Sequence, residues 1–308
     1  MAGVRQTRSS RAPGLRTAGS VPRVSRRAPG QHGCRAGPQR SARGLHAVSH
    51  RLSFEGVSYS YGKRSRPALT DVTWTFHAGR TVLLGPDGAG KSTLLRLAAG
   101  ELVPDAGQVR LDGDLPSAPR RRWPPRPPRH RTLARRAAVT GWMPQEVRPA
   151  PGLTAREQVA YAGWLRGMER AEAWERAVTT LHDVGLSADA GRPASALSDE
   201  QLRRVGLAEA LVHGPRLLLL DEPTAGLDPA QRARFRDVLK NLPGDPAMLV
   251  STHQVDDLDE LYDQVVVVAG GQVRYAGSVA QLLEHGRDGR PGRAESAHLA
   301  LVADAGDP

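Results

Sequence analysis

The feature that most constrains the fold is a glycine-rich run, GPDGAGKST, at residues 85–93. It lies between a strand-like apolar run, TVLL, and a segment with helical spacing, LLRLAAG. The spacing G-x-x-x-x-G-K-[ST] is met at Gly85, Gly90, Lys91 and Ser92, in the strand–loop–helix context that a phosphate-binding loop needs. The run therefore predicts an α/β domain whose first helix begins at a phosphate site.

Each residue type in this loop has a physical role toward a nucleotide phosphate. Gly88 and Gly90 allow backbone conformations that aim N–H groups inward, and the helix N-terminus adds partial positive charge. Lys91 is expected to reach the β- and γ-phosphates, and Ser92 to give its hydroxyl to Mg²⁺. The residues predicted to bind ATP are Gly85, Pro86, Asp87, Gly88, Ala89, Gly90, Lys91, Ser92 and Thr93.

Two carboxylates follow an apolar run in RLLLLDEP, residues 216–223. Four consecutive leucines are typical of a buried central strand, and open α/β sheets bind ligands at the carboxyl ends of such strands. We expect Asp221 to hold Mg²⁺, directly or through water, and Glu222 to polarise the attacking water as general base. A solvated acidic turn is the alternative for these two residues alone, but the phosphate loop favours the catalytic interpretation.

His253 ends a further apolar run, AMLVSTH, and is predicted to lie in a loop near the same sheet edge. A lone histidine in such a place is more often structural than catalytic. In the company of a phosphate loop and two carboxylates, His253 is expected to form a hydrogen bond to the γ-phosphate.

From Leu52 onward, strand-like and helix-like runs alternate along the chain. This alternation predicts a parallel sheet with helices on both faces. The Gly-Lys step at 62–63 and the Ala-Gly step at 78–79 predict hairpin turns. Apolar residues three and four apart predict helices over 154–184 and 198–213.

The net charge of +11 is concentrated in two segments. Residues 1–50 contain ten arginines and no acidic residue, and residues 115–136 add eight arginines without a carboxylate. We interpret 1–50 as a disordered basic tail, because it lacks the apolar surface that would offset its ordering entropy. The Arg/Pro-rich insert is predicted to be solvated charge, with anionic lipid or a permease as alternative contacts. The folded domain is expected at 51–285, followed by a disordered tail at 286–308.

The leader also resembles an organellar transit peptide, although a translation start near Val48 is the preferred alternative. The only cysteine, Cys34, lies in this leader, so an internal disulfide and a Cys-based metal site are excluded. No run approaches the ~18 consecutive apolar residues that a membrane span requires. A role at a membrane would therefore depend on a partner.

Taken together, these motifs resemble the ATP-binding cassette family from about Leu52 to Glu284, most specifically over residues 206–229. Tyr61 in YSYG resembles the aromatic residue that stacks on adenine. Gln145 in WMPQE resembles the glutamine that contacts Mg²⁺ and senses the membrane subunit. Asp228 in AGLDP resembles the loop that crosses the dimer interface, and STH resembles the motif of the switch histidine.

The resemblance implies a P-loop NTPase core with a mixed or parallel sheet, an N-terminal antiparallel β subdomain and a helical subdomain at about 146–212. It also implies a head-to-tail dimer with two ATP molecules, each held by the phosphate loop of one subunit and the signature of the other. ATP closes this dimer and hydrolysis reopens it, which drives a membrane partner between two states.

The signature departs from the family pattern LSGGQ, because this chain has LSDEQ at 197–201. Ser198 and Gln201 fit a capping box, so the helix is expected to form. Asp199 and Glu200 are expected to repel the γ-phosphate of ATP on the partner by ~4 kcal/mol at 4 Å. Acidic residues stabilise a helix N-terminus by only ~0.3–1 kcal/mol, so repulsion should dominate. The hypothesis is a weak site at this signature and a heterodimer with a cassette that supplies LSGGQ.

These features predict an ATPase subunit that powers a separate membrane permease. The segment PGLTAREQVAYAGWLRG favours an exporter, although importers share the catalytic motifs. One alternative is a soluble cassette protein acting on ribosomes or nucleic acid, which the basic segments favour. The single cassette and lone cysteine argue against it, so no nucleic acid is expected as a partner. Another alternative is a cassette that binds ATP without turnover. We expect a cytoplasmic protein, peripheral on the inner face of the cell membrane.

Overall fold

The structure is a computed structural model that describes residues 52–62, 65–111, 136, 138–255, 258, 261–284, 286 and 292–303. The predicted disordered tail 1–50 lies outside these residues, as does the Arg/Pro-rich insert apart from Arg136.

The first strands form a three-stranded antiparallel sheet in the order β2-β1-β4. Its strands are β1 Leu52–Tyr59, β2 Leu69–Phe76 and β4 Ala106–Leu111. Phe54 and Phe76 are buried in a cluster that includes Leu94 and Leu95 of helix α1. This packing attaches the antiparallel sheet to the helix that follows the phosphate loop, and the predicted antiparallel subdomain is confirmed.

The second sheet has the strand order β5-β6-β7-β3-β8-β9. The first five strands in that order are parallel, and β9 is antiparallel to β8. The strands are β3 Arg80–Leu84, β5 Thr140–Met143, β6 Leu217–Asp221, β7 Ala247–Thr252, β8 Gln264–Ala269 and β9 Gln272–Ser278. All residues of β6 and β7 are buried, because helices cover both faces of the central strands. The predicted mixed sheet of a P-loop NTPase core is therefore present.

The helices are α1 Lys91–Ala99, α2 Ala155–Leu165, α3 Arg170–Asp183, α4 Asp199–Leu211, α5 Pro229–Lys240, α6 Val279–Glu284 and α7 Arg293–Ala303. Helices α2, α3 and α4 pack on one another through Val159, Ala177 and Leu207, among others. They lie within the predicted helical subdomain. The helical segment predicted over 154–184 forms two helices, because the chain turns at Gly167, whose φ is +92°.

Two predictions from the sequence are wrong. The tail from 286 was expected to be disordered, but residues 293–303 form α7, with Ala297 fully buried against the core. Its apolar residues bury enough surface to order it despite the flanking glycines. The Ala78-Gly79 step is not a hairpin turn, because β2 and β3 belong to different sheets.

Arg136 corrects the prediction that the whole insert is solvated charge. Its side chain is fully buried, and its guanidinium donates to the carbonyl of Val109 on β4. A buried arginine needs such acceptors, so the end of the insert is part of the core. Within the described part of the chain, no helix is long and apolar enough to span a membrane.

Candidate active site

Three of the predicted functional segments meet at one edge of the larger sheet. β3 leads into the loop that starts at Gly85, β6 ends at Asp221 just before Glu222, and β7 leads to His253. β7 pairs in parallel with both β3 and β6, so the carboxyl ends of all three strands lie together. This is the edge at which open α/β sheets bind ligands.

The phosphate loop has the backbone that its glycines predict. Gly88 and Gly90 have φ values of +76° and +104°, and Gly90 is the N-cap of α1. A Cβ on Gly85 would lie 2.1 Å from the carbonyl oxygen of Val268, so no side chain fits there. The first amides of α1 have no partners within the helix, which leaves them available to an anion.

Lys91 is buried at the start of α1 and its ammonium group lies inside the loop. Its Nζ donates to the carbonyls of Gly85 at 2.6 Å and Pro86 at 3.0 Å, and lies 3.6 Å from Glu222 Oε1. Burial lowers the pKa of Lys91, while the carboxylates of Glu222, Asp87 and Asp221 oppose that shift. The ammonium is therefore held where an anionic phosphate would relieve its desolvation.

Asp221 and Ser92 form the part of the site that fits a magnesium ion. Asp221 Oδ1 accepts hydrogen bonds from Ser92 at 2.9 Å and Ser251 at 2.7 Å. Its Oδ2 is buried and has no hydrogen-bond partner among the described residues. Burial raises the pKa of Asp221, and its two hydroxyl donors oppose that shift. A hydroxyl beside an unpaired buried carboxylate oxygen is a donor set of the kind that Mg²⁺ prefers.

Glu222 lies at the centre of the site. Its Oε2 accepts from Gln145 Nε2 at 3.2 Å and lies 3.2 Å from His253 Nδ1. The predicted catalytic pair Glu222 and His253 is thus in direct contact, and Gln145 is part of the same group. Glu222 has a φ of +44°, which is unusual for a residue other than glycine.

Asp87, Glu222 and His253 offer ligand atoms that all lie within 4.8 Å of one another. This set differs from the one predicted for Mg²⁺, which was Ser92, Gln145 and Asp221. Asp87 and His253 are exposed while Glu222 is buried.

Tyr61, the predicted adenine contact, lies beside the phosphate-loop helix. Its hydroxyl is 3.1 Å from Thr93 Oγ1, and its ring packs edge-on against Tyr59. The side chain is 57% exposed, so part of it is accessible to a base. The aromatic residue and the phosphate loop are therefore adjacent, as stacking on a bound nucleotide requires.

The signature helix has the predicted capping box. Ser198 Oγ accepts from the amide of Gln201 at 3.2 Å, and Gln201 Oε1 accepts from the amide of Ser198 at 3.0 Å. Among the described residues, no hydrogen bond or ion pair connects Ser198, Asp199 or Gln201 to the phosphate loop. Asp228 caps α5 through the amide of Gln231 at 2.8 Å.

The two signature carboxylates have different surroundings. Asp199 is exposed. Glu200 is bound by Arg204 at 2.5 Å and lies 4.0 Å from Arg234, with its side chain only 13% exposed. Two arginines of the same chain therefore neutralise most of the negative charge of Glu200. The charge of Asp199 is not neutralised in this way.

Two polar residues of the site were missed by the sequence-based prediction. Ser251 donates to Asp221 and accepts from the amide of Glu222 at 2.9 Å. Its position in STH, two residues before His253, was the available signal. Arg203 donates to backbone carbonyls of both the Gln145 and Glu222 segments, and no sequence pattern indicated this.

A cleft of about 920 Å³ opens at the amino ends of the parallel strands, around Arg80, Arg176 and Asp245. Arg80 and Asp245 pair with each other at 2.7 Å there. The cleft lacks the phosphate loop and the buried carboxylates, so we place the chemistry at the Lys91 edge.

Comparisons with known proteins show the family to which this chain belongs. A family model described as ABC transporter matches residues 69–225. The chain is 35% identical over 237 residues to the methionine import ATP-binding protein MetN of Caulobacter vibrioides, covering 76% of this chain and 69% of that protein. It is 36% identical over 202 residues to the daunorubicin/doxorubicin resistance ATP-binding protein DrrA of Streptomyces peucetius, covering 65% of this chain and 57% of that protein.

A solved structure has the same fold. It is the dimeric ATP-binding cassette MJ0796 in a post-hydrolysis state bound to ADP and Pi. The TM-score is 0.63 at 24% sequence identity, over 74% of this chain and 98% of that chain.

Proposed function

This chain belongs to the ABC transporter family as an ATP-binding, ATP-hydrolysing subunit, and from that premise we propose that it drives a separate membrane permease of the exporter class. The part of the proposal that concerns ATP hydrolysis rests on the contact of Glu222 with His253 and Gln145 at the mouth of a complete phosphate loop. A carboxylate in that place can accept a proton from water beside a bound γ-phosphate.

Different residues of this chain have separate roles in ATP hydrolysis. The α1 amides and Lys91 bind the phosphates, and Tyr61 stacks on the base. Glu222 takes the proton of the attacking water, and His253 holds the γ-phosphate by a hydrogen bond. Ser92, Gln145 and Asp221 would hold Mg²⁺, which when bound would neutralise charge on the transferred phosphoryl group.

Replacing Glu222 by Gln tests this assignment. We expect kcat for ATP hydrolysis to fall by about 100-fold or more, because general-base catalysis contributes at least that factor. ATP affinity should stay within about threefold, since Lys91 and the α1 amides remain. Kinetics of the full chain with its permease measure both quantities, with Glu172→Gln, an exposed glutamate on α3, as control. Equal turnover in Glu222→Gln and wild type would favour a cassette that binds ATP without hydrolysis.

We propose a heterodimer because of Asp199. In the head-to-tail dimer, the start of α4, which Ser198 caps, faces the nucleotide of the partner. An exposed carboxylate one residue later would repel that nucleotide, whereas the charge of Glu200 is taken up by Arg204. A partner cassette with LSGGQ would complete the site built on Lys91 and Glu222 of this chain.

The exporter assignment rests on the similarity to DrrA, a resistance protein by name, together with the segment after Gln145. The similarity to MetN, an import protein by name, keeps an importer as the alternative. We place the permease contact at an apolar patch on α2 and α3. The patch consists of Tyr161, Trp164, Leu165, Trp174 and Val178, each between 39% and 62% exposed.

The patch is connected to the catalytic loops. Gln158, buried on α2, accepts from the amide of Ala150 at 2.8 Å and donates to the carbonyl of Arg148 at 3.1 Å. Arg148 and Ala150 belong to the segment that follows Gln145 along the chain. A permease bound at the patch would therefore act on Gln145 through α2, and the protein would lie peripherally on the inner face of the membrane.

A further inference from the structure

Arg203 on α4 binds backbone atoms of both catalytic loops. Its Nη1 donates to the carbonyl of Gln145 at 2.6 Å and to that of Glu222 at 3.3 Å, and its Nη2 donates to that of Ala225 at 2.9 Å. Within the described residues, no carboxylate lies within ion-pair distance of the guanidinium. Burial lowers the pKa of Arg203, with Asp199 and Glu222 opposing the shift, so placing this charge here has a cost.

The two peptide groups that flank Glu222 are held by hydrogen bonds to other residues of the chain. The φ of +44° is unusual for a residue other than glycine and persists only where the surroundings determine it. The amide of Glu222 donates to Ser251, and its carbonyl accepts from Arg203 and from the amide of Ala225. Arg203 is the one of these partners that comes from the helical subdomain.

The same face of α4 packs closely on the Gln145 loop. Gly206 lies three residues after Arg203, which places both on one side of the helix. A Cβ on Gly206 would lie 2.4 Å from Val147 Cγ2, so the helix and the loop have no room for a side chain between them. α4 begins at the signature, so one rigid element connects the signature, the Gln145 loop and the Glu222 peptide.

We propose that Arg203 is a positioning residue for Glu222. Its guanidinium holds the Glu222 peptide and the Gln145 loop at fixed positions relative to the signature helix. This deepens the proposed function and rests on it, because a general base needs positioning only where ATP is hydrolysed. Loss of the guanidinium frees the strained peptide to relax and displaces the carboxylate. Lys91, which binds ATP together with the α1 amides, loses at most its contact with Glu222 and keeps its hydrogen bonds to the carbonyls of Gly85 and Pro86.

The test compares Arg203→Gln with Arg176→Gln in the full chain assembled with its permease and partner cassette. Arg176 is the matched control, because it also donates to a backbone carbonyl, that of Val212, within the helical subdomain and away from the nucleotide. For Arg203→Gln we expect kcat to fall by about 10- to 100-fold with the KM for ATP within about threefold, as for a misplaced catalytic group. Arg203→Lys should recover only part of kcat, because one ammonium cannot span three carbonyls. Arg176→Gln should change kcat by less than about twofold.

Amide hydrogen exchange of the nucleotide-free full chain gives a readout that does not depend on turnover. In Arg203→Gln the amides of residues 224–227 should exchange about tenfold faster, and in Arg176→Gln at the wild-type rate. Unchanged exchange at these amides would overturn the proposal, as would equal losses in kcat and ATP affinity. If the wild type assembled with its permease and partner cassette shows no turnover that depends on Glu222, the proposed function fails, and amide exchange still decides the role of Arg203.

Discussion

At the scale of single residues, Asp199 and Glu200 occupy neighbouring positions of the signature but differ in what they contact. Arg204 and Arg234 bind Glu200 inside the chain, whereas Asp199 presents its charge to solvent. Charge repulsion toward a nucleotide on the partner is therefore concentrated in Asp199. The two glycine replacements should consequently have different effects.

We expect Asp199→Gly to raise ATP turnover of the purified chain by about tenfold or more, because removing a like charge at ~4 Å can relieve up to ~4 kcal/mol. Asp199→Asn removes the charge but not the bulk, and so separates repulsion from close backbone approach. Steady-state ATPase rates of the three proteins, measured against ATP concentration, give the answer. A chain that already hydrolyses ATP at ordinary rates and gains nothing from either change contradicts the weak-signature hypothesis.

Glu200→Gly should instead lower stability, because it leaves the guanidinium of Arg204 without its carboxylate. A lost partner of a largely buried charged group costs about 1–3 kcal/mol. The midpoint of thermal unfolding therefore serves as the control, and it should fall for Glu200→Gly and stay near wild type for Asp199→Asn.

At the scale of elements, α4 also carries a half-buried carboxyl group, that of Glu209, at its contact with α2. Burial raises the pKa of Glu209 from 4.5 to about 7, and a hydrogen bond from Gln158 opposes that shift. Gln158 is the residue that holds the segment after Gln145. The protonation state of Glu209 therefore affects the packing of α2 on α4.

The pH dependence of stability follows from this shift. His213, whose pKa burial lowers from 6.5 to about 4, contributes a free energy of unfolding that rises with pH between those values. Between pH 4.5 and about 7 the folded chain keeps the Glu209 proton while the unfolded chain loses it, so Glu209 contributes a slope of the opposite sign, and its contribution falls as pH rises. The full loss is on the order of 3 kcal/mol. Glu209→Gln should remove this slope and raise stability at pH 8. Denaturant unfolding from pH 5 to 8.5 measures it, and Glu172→Gln should leave the slope intact; an unchanged slope in Glu209→Gln would refute the assignment.

At the scale of the whole molecule, the apolar patch and the nucleotide edge belong to different parts of the domain. The patch lies on α2 and α3, whereas the phosphate loop and Glu222 lie on the large sheet. The Gln145 segment and α4 connect them. Under the proposed function, binding of a permease at the patch and ATP hydrolysis at the sheet edge would be coupled through the contacts of these two segments.

We expect Leu165→Ser to release about half or more of the chain from the membrane fraction of its source cells, because an exposed leucine at an interface contributes apolar burial. Leu299→Ser on α7 is the matched control, since that leucine is 51% exposed against 62% for Leu165 and lies outside the patch. Immunoblots of membrane and supernatant fractions measure the distribution. Equal distributions for both variants would remove the patch as the permease contact.

The sequence alone determined the features that depend on local geometry. Three such features are the phosphate loop, the buried strand before Asp221 and the capping box at Ser198. Each involves residues within one short segment, so its pattern can be read directly from the sequence. α7 shows the limit of this approach, because its flanking composition predicted disorder and only burial of Ala297 against the core orders it.

Tertiary structure decided which of these segments meet. Ser92 and Asp221 are 129 residues apart and Arg203 and Gln145 are 58 apart, and their contacts depend on strand order and on how α4 packs. The pairing of Glu200 with Arg204 follows helical spacing, but the approach of Arg234 requires α5 beside α4. Charges add or cancel only through such distances, so the sequence identified the signature carboxylates and the fold determined that Asp199 alone stays exposed.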